Sequence, residues 1–580
     1  MHTVKEIIIE SLCHAFTCAF PDQSGIDAEV SQSVTISTQE HFGHYQCNAA
    51  MRLAKRLKLN PRQIAESCLA FIENTAIEKC EVAGPGFINI WLKASFITER
   101  CQMMLTDEKL GVRKRNLPHR VVVDFSSPNI AKEMHVGHLR STILGDCIAK
   151  IFELRGDDVL RLNHVGDWGT AFGMLIVYLL DSNPGVLNGE KSADLSELVV
   201  WYKAAKKRFD DDAEFKKRAQ MQVVKLQQGH AASLAAWHLI CEISRQGFEV
   251  IYSLLDVKLQ ERGESFYNDQ LASTVEELCS KGLVEVSDGA KCIYLDGFMN
   301  RDNEPLPLII QKSDGGYNYA TTDLAALKHR VAVEKADRIV YFTDIGQSTH
   351  FAQVFMASNR AGFYDPQHQQ VEHAGFGLVL GEDGKKFRTR AGEVVRLQDL
   401  LSESIERASK LLEERELDWG VEEKAYAAKV LGIGAVKYAD LSTSRQSDYK
   451  FSFDRMLQFE GNTAAAILYA YVRIQSIKRK IDNSSFIDAG TLSLCEPAEV
   501  SLGIHLARFS DVIEKVLIDL MPHYLTDYLF ATAQKFNAFF RDCRVSGSDQ
   551  ENSRVLLCEL TANVLKLGLN LLGIQTLDRM

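Results

Sequence analysis

The spacing of apolar residues divides the chain into three stretches. In the first, MHTVKEIIIESLCHAF and HYQCNAAMRLAKRLKLNPRQIAE place apolar residues at helical intervals. A Gly84-Pro85-Gly86 turn then opens Phe87-Ile88-Asn89-Ile90, which alternates as a strand does. This mixture predicts a small α+β domain up to about Leu110, with a basic linker from Gly111 to Arg120. In the second stretch, Val121-Val122-Val123 is the β-branched run that fills a buried parallel strand. Ser126-Ser127-Pro128-Asn129 is turn chemistry. Beyond it Ile143, Cys147, Ile151 and Leu154 share a helical face, and Gly156 ends that helix as a left-handed cap. Strand and helix then alternate through Val159 to His164, Trp168 to Leu180, Tyr319 to Arg330, Arg338 to Thr343 and Gln347 to Ala361.

That alternation predicts an α/β fold, a Rossmann-like doubly wound parallel sheet. No strand intervenes from Asn188 to about Val257, where charges interleave with helical apolar spacing, so a helical insertion is expected there. Leu397 to Trp419 reads as a charge-laced helix. In the third stretch, Ile467, Tyr471 and Ile474 mark one helical stripe and Leu557, Leu560, Val564 and Leu571 another, which predicts a separate all-α bundle. The expected domains are 1–112, 113–455 with its insertion at about 188–257, and 456–580.

With 580 residues the chain exceeds a single core. Its 46% hydrophobic and 25% charged content is that of a soluble globular protein, and no apolar run is long enough to span a bilayer. The N-terminus lacks the regions of a signal peptide. The 13 cysteines include no C-x-x-C pair, which predicts neither a disulfide framework nor a zinc ribbon and fits a reducing cytoplasm. A net charge of −11 does not advertise nucleic acid, but phosphate contact is a property of patches. Candidate basic patches lie at Arg52 to Lys58, Arg113 to Arg120 and Lys203 to Arg208, each with a plain alternative as a solvated face.

The chemistry concentrates where the first predicted strand of the sheet hands over to its helix. His135 and His138 flank Gly137 there, and a helix N-terminus offers unpaired N–H groups and a positive dipole end that suit a phosphate. A second candidate, Gly381 to Arg390, is a basic loop after the strand HAGFGLVL (His373 to Leu380). It is not a Walker loop, because the Gly-to-Gly spacing is too short.

The His-x-Gly-His signature, together with Ser127-Pro128-Asn129-Ile130-Ala131-Lys132 before it and Leu139-Arg140-Ser141-Thr142 after it, resembles the arginyl-tRNA synthetases of class I. The closing LGLNLLGIQTLDRM and the stretches Gly166 to Gly169 and Gly263 to Tyr267 are also similar to that family's wording. The resemblance implies ATP-dependent ligation of L-arginine to the 3′ end of tRNA(Arg) through an arginyl-adenylate. It further implies Mg-ATP as substrate, no structural metal, no membrane, a cytoplasmic monomer, and often a need for tRNA in the first step. By resemblance, His135, Gly137, His138, Lys385, Lys386 and Arg388 bind ATP, and Lys132, His135, His138 and Lys386 are catalytic. Lys386 matches the first lysine of the class's Lys-Met-Ser-Lys-Ser loop, Thr389 replaces the second, and Lys132 substitutes for it. Asp124, Asn129, Tyr319, Asp323 and Gln347 match the arginine site, Asp323 and Asp124 facing the guanidinium and α-ammonium ends. Tyr319 to Asp323 also reads as a strand end whose Asp323 caps the next helix. Tyr449 and Phe451 are expected to stack on unpaired tRNA bases, with a core position as the alternative, and Met580 to lie near the anticodon loop. Two rival functions remain at this level: another adenylate-forming nucleotidyltransferase, and a non-catalytic RNA-binding protein.

Overall fold

The computed structural model describes residues 2–37, 39–385, 387, 395–415, 418–481 and 490–580. These form two compact units, one of Arg115–Gln458 with Leu571–Ile574, the other of the chain up to Lys114 with Phe459–Asn570 and Gln575–Met580. The terminal stretches expected as 1–112 and 456–580 thus fall within one contact unit.

In the larger unit five parallel strands form the sheet: β1 (Arg120–Asp124), β2 (Asp158–Asn163), β3 (Gln260–Glu261), β4 (Arg338–Tyr341) and β5 (Gln370–His373). Their spatial order is β5-β4-β1-β2-β3. Strand order reverses between β1 and β4, and open α/β sheets bind ligands outside the carboxyl ends of the strands at such a switch point. Val121, Val122 and Val123 are fully buried, as a strand covered on both faces requires. One face of the sheet packs Val122, Leu160, Leu162, Ile339 and Phe351 into a common core. The helix α1 (Val136–Arg155) follows β1, and Gly156 closes it in the left-handed region at φ 90°.

The helical insertion consists of Leu195–Asp211, Ala213–Gln227 and Ala231–Leu255, with β3 following. A second insertion had no clear sequence signal: Glu285–Ser287, Ala290–Ile293 and Leu308–Gln311 form an antiparallel meander. It shares a core with Leu324 and Leu327 of the helix α2 (Tyr319–Ala332). Two expectations are corrected here. Asp323 does not cap α2; Asn318 does, accepting from the Ala320 and Thr321 N–H groups, and Asp323 lies inside the helix. The run His373 to Leu380 is not one strand. β5 ends at His373, and Val379–Leu380 pairs instead with Tyr449–Lys450. The break comes at Gly377, where a Cβ would stand 2.7 Å from the Ser447 backbone.

The smaller unit holds an antiparallel sheet ordered Val34–Ile36, Tyr45–Cys47, Phe87–Leu92, Ile77–Ala83, with helices, as the α+β reading anticipated. Its remaining helices include Ala464–Ile481 and Glu551–Leu571, and the stripe residues Ile467, Ile474, Leu560 and Val564 are all fully buried. The Tyr45 hydroxyl donates to Asp511 at 3.2 Å, joining the sheet to the later helices inside this unit.

Candidate active site

The loop from β1 to α1 is held in a costly conformation. Ser126, Ser127 and Ala131 have φ of 74°, 48° and 58°, values that non-glycine residues rarely adopt and that persist only where surroundings enforce them. Side chains from well-packed elements do the enforcing. Ser141 Oγ accepts the Ser126 N–H at 2.9 Å, and Asn163 Oδ1 accepts that of Ser127 at 2.9 Å. Ser244 Oγ accepts the Ala131 N–H at 3.0 Å, and the Tyr252 hydroxyl lies 2.8 Å from Ser126 Oγ. Both of these belong to Ala231–Leu255, so the helical insertion braces this loop.

His135 caps α1, its Nδ1 accepting the Gly137 N–H at 3.0 Å. The His138 Nδ1 in turn accepts the His135 N–H at 3.0 Å. A neutral imidazole that accepts at Nδ1 carries its proton on Nε2, so each ring retains one N–H for a ligand. Burial, the neighbouring His135 and the Lys132 charge push His138 down to about 3, and burial with Lys132 lowers His135 as well. Both rings are therefore neutral donors at pH 7. A Cβ on residue 137 would meet the His135 ring at 2.9 Å and push it from its capping position, so glycine suits the site.

These residues line one end of a cleft of about 680 Å³ outside the carboxyl ends of β1, β2 and β4. Acidic residues line the same cleft. Asp323 Oδ2 lies 2.6 Å from His350 Nε2, and the Tyr319 ring stands edge-on to His350 at 4.8 Å. Glu264 lines the same space. Burial, with the negative charges of Asp323 and Asp167, pushes Glu264 up to about 7. Its loop is fixed by Asp167, whose carboxylate accepts the Ser265 N–H at 2.8 Å and the Ser265 hydroxyl at 2.6 Å. Among the described residues neither Glu264 nor Asp323 pairs with a lysine or arginine. Two partly buried carboxylates facing one space form a receptor for a cation, and a planar guanidinium fits such a pair better than a compact ammonium.

The cleft brings together Asp124, Asn129, His135, Gly137, His138, Tyr319, Asp323 and Gln347, eight of the residues anticipated from sequence. Asp124 is already engaged. Its Oδ2 accepts from Arg330 at 2.7 Å and its Oδ1 from the Ser127 hydroxyl at 3.0 Å, and both partners of the ion pair are buried. Lys132 is exposed beside the cleft, its Nζ 5.8 Å from the Tyr202 ring centroid. Lys385 is exposed in the turn after Leu380. Lys386, Arg388 and Thr389 lie outside the described residues. Met580, partly buried, belongs to the smaller unit. The stacking expected of Tyr449 and Phe451 is corrected: they are 8% and 2% exposed. Tyr449 packs on the Arg140 guanidinium and Phe451 between Phe387 and Phe453, so neither offers an open face to a base. Sequence reasoning missed Glu264, although it stands in the quoted stretch Gly263 to Tyr267; nothing local distinguishes its carboxylate from an ordinary surface one.

Among the described residues no group of three or more His, Cys, Asp or Glu side chains is set to hold a metal. None of the cysteines forms a disulfide, and no described helix is long and apolar enough to cross a membrane.

Comparison with known proteins covers the whole chain. Residues 100–453 match the family model of the class I tRNA synthetase (R) catalytic domain. Residues 2–92 match the arginyl tRNA synthetase N-terminal domain, and 467–580 the DALR anticodon binding domain. The chain is 52% identical over 584 residues to the arginine–tRNA ligase of Protochlamydia amoebophila, with all of both chains covered. The crystal structure of the Plasmodium falciparum arginyl-tRNA synthetase matches at TM-score 0.88 and 34% identity, again over 100% of both chains. The Thermus thermophilus arginyl-tRNA synthetase shares the fold at TM-score 0.80 and 22% identity over 100% of both chains.

Proposed function

The chain belongs to the class I arginyl-tRNA synthetases, and from that premise we propose how its cleft divides the work between arginine and ATP. The function is ATP-dependent ligation of L-arginine to tRNA. The observation that carries the division is that one cleft is lined both by Glu264 and Asp323, close enough to repel each other, and by two neutral histidines in mutual contact.

In this reading Glu264 and Asp323 receive the guanidinium and Tyr319 covers the aliphatic stem. Asn129 and Gln347 contribute polar groups around the α-amino group. Asp124 offers an oxygen rather than a net charge there, because Arg330 already balances it. Mg-ATP lies across the N-terminus of α1, where Gly137 admits close approach and the Nε2–H groups of His135 and His138 donate to phosphate oxygens. The arginine carboxylate attacks the α-phosphorus in line; the bond to the bridging oxygen breaks and pyrophosphate departs. Lys132, with Lys385, Lys386 and Arg388 of the second signature, supplies positive charge to the leaving group. The 2′-hydroxyl of the terminal adenosine of tRNA then attacks the carbonyl carbon of arginyl-adenylate, and AMP leaves as the hydroxyl proton is lost. Orientation and charge stabilisation account for the catalysis without a covalent enzyme intermediate.

The test is arginine-dependent ATP–pyrophosphate exchange with and without cognate tRNA, with lysine as control. Exchange with arginine and not lysine supports the assignment. Exchange only with tRNA present adds a tRNA requirement for the first step. Equal exchange with lysine would overturn the carboxylate pair as the guanidinium receptor. We also propose that the enzyme acts as a cytoplasmic monomer; light scattering at 65.0 kDa would bear out the monomer, and twice that mass would refute it.

A further inference from the structure

We propose that Arg140 is the positioning residue that fixes the nucleotide end of the cleft, by tying the histidine helix to the backbone that leads into the second signature loop. This rests on the reading of that end as the ATP site.

Arg140 lies two residues beyond His138 on α1, lines the cleft, and is 0% exposed. Its Nη1 donates to two carbonyls from separate segments, Gly377 at 2.7 Å and Ser447 at 3.0 Å. Its Nε donates to Asp440 Oδ1 at 3.1 Å, an ion pair in which neither side chain is exposed. The rings of Tyr449 and Phe376 stand 5.1 and 5.8 Å from the guanidinium carbon. Three directions of hydrogen bonding and two aromatic neighbours leave the side chain one orientation.

What the guanidinium joins gives it a role. Gly377 and Leu378 line the cleft together with the N-terminus of α1. They are bonded to the 445–449 segment through Gly377 N–H to the Arg445 carbonyl at 2.8 Å and Leu378 N–H to Asp448 at 2.6 Å. Val379–Leu380 then pairs with Tyr449–Lys450, and the turn containing Lys385 follows directly. The strands of the main sheet do not support this stretch, because β5 has ended at His373. Arg140 therefore sets the gap between the two walls of the nucleotide end. At the arginine end its guanidinium touches neither Glu264 nor Asp323. A lysine at this position is a point charge on a flexible stem, unable to span two carbonyls and a carboxylate at once.

The test is steady-state ATP–pyrophosphate exchange on Arg140→Lys and on Asp440→Asn, each with tRNA present and with thermal melting in parallel. The expected result for Arg140→Lys is an ATP KM raised ~10- to 100-fold, with the arginine KM within about twofold of the parent, as loss of charge-assisted hydrogen bonds confined to one wall requires. Asp440→Asn, which keeps the shape and removes the charge that orients Nε, raises the ATP KM severalfold and keeps the same selectivity. It also serves as the readout if Arg140→Lys does not fold. An unchanged ATP KM in a folded variant, or parallel rises in both KM values, overturns the proposal while leaving the site assignment standing. Absence of exchange in the parent protein overturns the site assignment itself, and the proposal with it.

Discussion

At the proposed arginine end of the cleft Glu264 and Asp323 bring carboxylates into a partly buried space where, among the described residues, no lysine or arginine pairs with them, while at the proposed ATP end His135 and His138 bring only oriented N–H dipoles. The two ends share one cavity and the same sheet edge, yet their neighbours drive titratable groups towards opposite uses. Burial and like charge hold Glu264 near neutrality until a cation arrives, so the substrate itself completes the charge balance. Burial and the Lys132 charge keep the histidines unprotonated, so each remains a donor of fixed direction, as the proposed phosphate contact requires. The difference teaches that, in the proposed division, the cation subsite is built from carboxylates awaiting a partner and the triphosphate subsite from oriented dipoles, with Lys132 exposed beside them.

The contrast is broken most directly by Glu264→Gln. Removing one partner of a desolvated charge pair costs about 2–5 kcal/mol, so kcat/KM for arginine is expected to fall ~30- to several thousandfold. The ATP KM should move by less than about threefold, and comparable losses for both substrates would erase the distinction between the ends. His138→Ala attacks the other side. Loss of one preorganised donor is expected to lower the exchange rate by ~10²–10³-fold. Arginine binding, followed by calorimetry, should remain within twofold.

A third test uses pH. Arginine is cationic throughout, and Glu264 gains its charge as pH rises through about 7. The arginine KM should therefore rise by up to about tenfold for each pH unit below 7 and level off above it. Glu264→Gln should flatten that profile, and a profile unchanged by the substitution would remove Glu264 from the receptor.

The smallest effect concerns stability. His138 titrates near 6.5 when unfolded and about 3 when folded, so the unfolded chain binds more protons between those values. Its neutral burial is favourable to the fold above 6.5, and that stability is lost as pH falls towards 3. Glu264 acts in the opposite sense: its raised folded value means the native state binds more protons from about 4.5 to 7, and stability declines as pH rises through that window. His138→Asn is expected to remove up to about 2 kcal/mol of the acid-side loss between pH 6.5 and 5, read as a smaller fall in melting midpoint. Glu264→Gln is expected to leave that acid-side fall larger than in the parent. Identical acid profiles in parent and His138→Asn would refute the buried neutral ring.

Local pattern carried much of this protein. The valine run made β1, the left-handed Gly156 closed α1, and the His-Val-Gly-His signature lay at the helix start where it was read. Such features depend on residues within a turn or two of each other, and their backbone preferences act whatever the remainder of the chain does. Local pattern misled where packing decided. Tyr449 and Phe451 alternate like an exposed aromatic platform, but the segment inserts beneath Arg140 and Phe387, and apolar area was removed from water instead.

Reading along the chain was enough to anticipate a parallel α/β sheet, a histidine pair at a helix start and two aspartates that line the cleft. What those carboxylates do was set by packing between distant parts of the chain. It gave Asp124 to Arg330, 206 residues away, and left Asp323 to share its space with Glu264. It also sent Ser244 and Tyr252 from the helical insertion to brace a strained loop. The reason is physical: charge state and availability depend on burial and on neighbours within a few ångströms, and those neighbours come from parts of the chain that no local pattern connects.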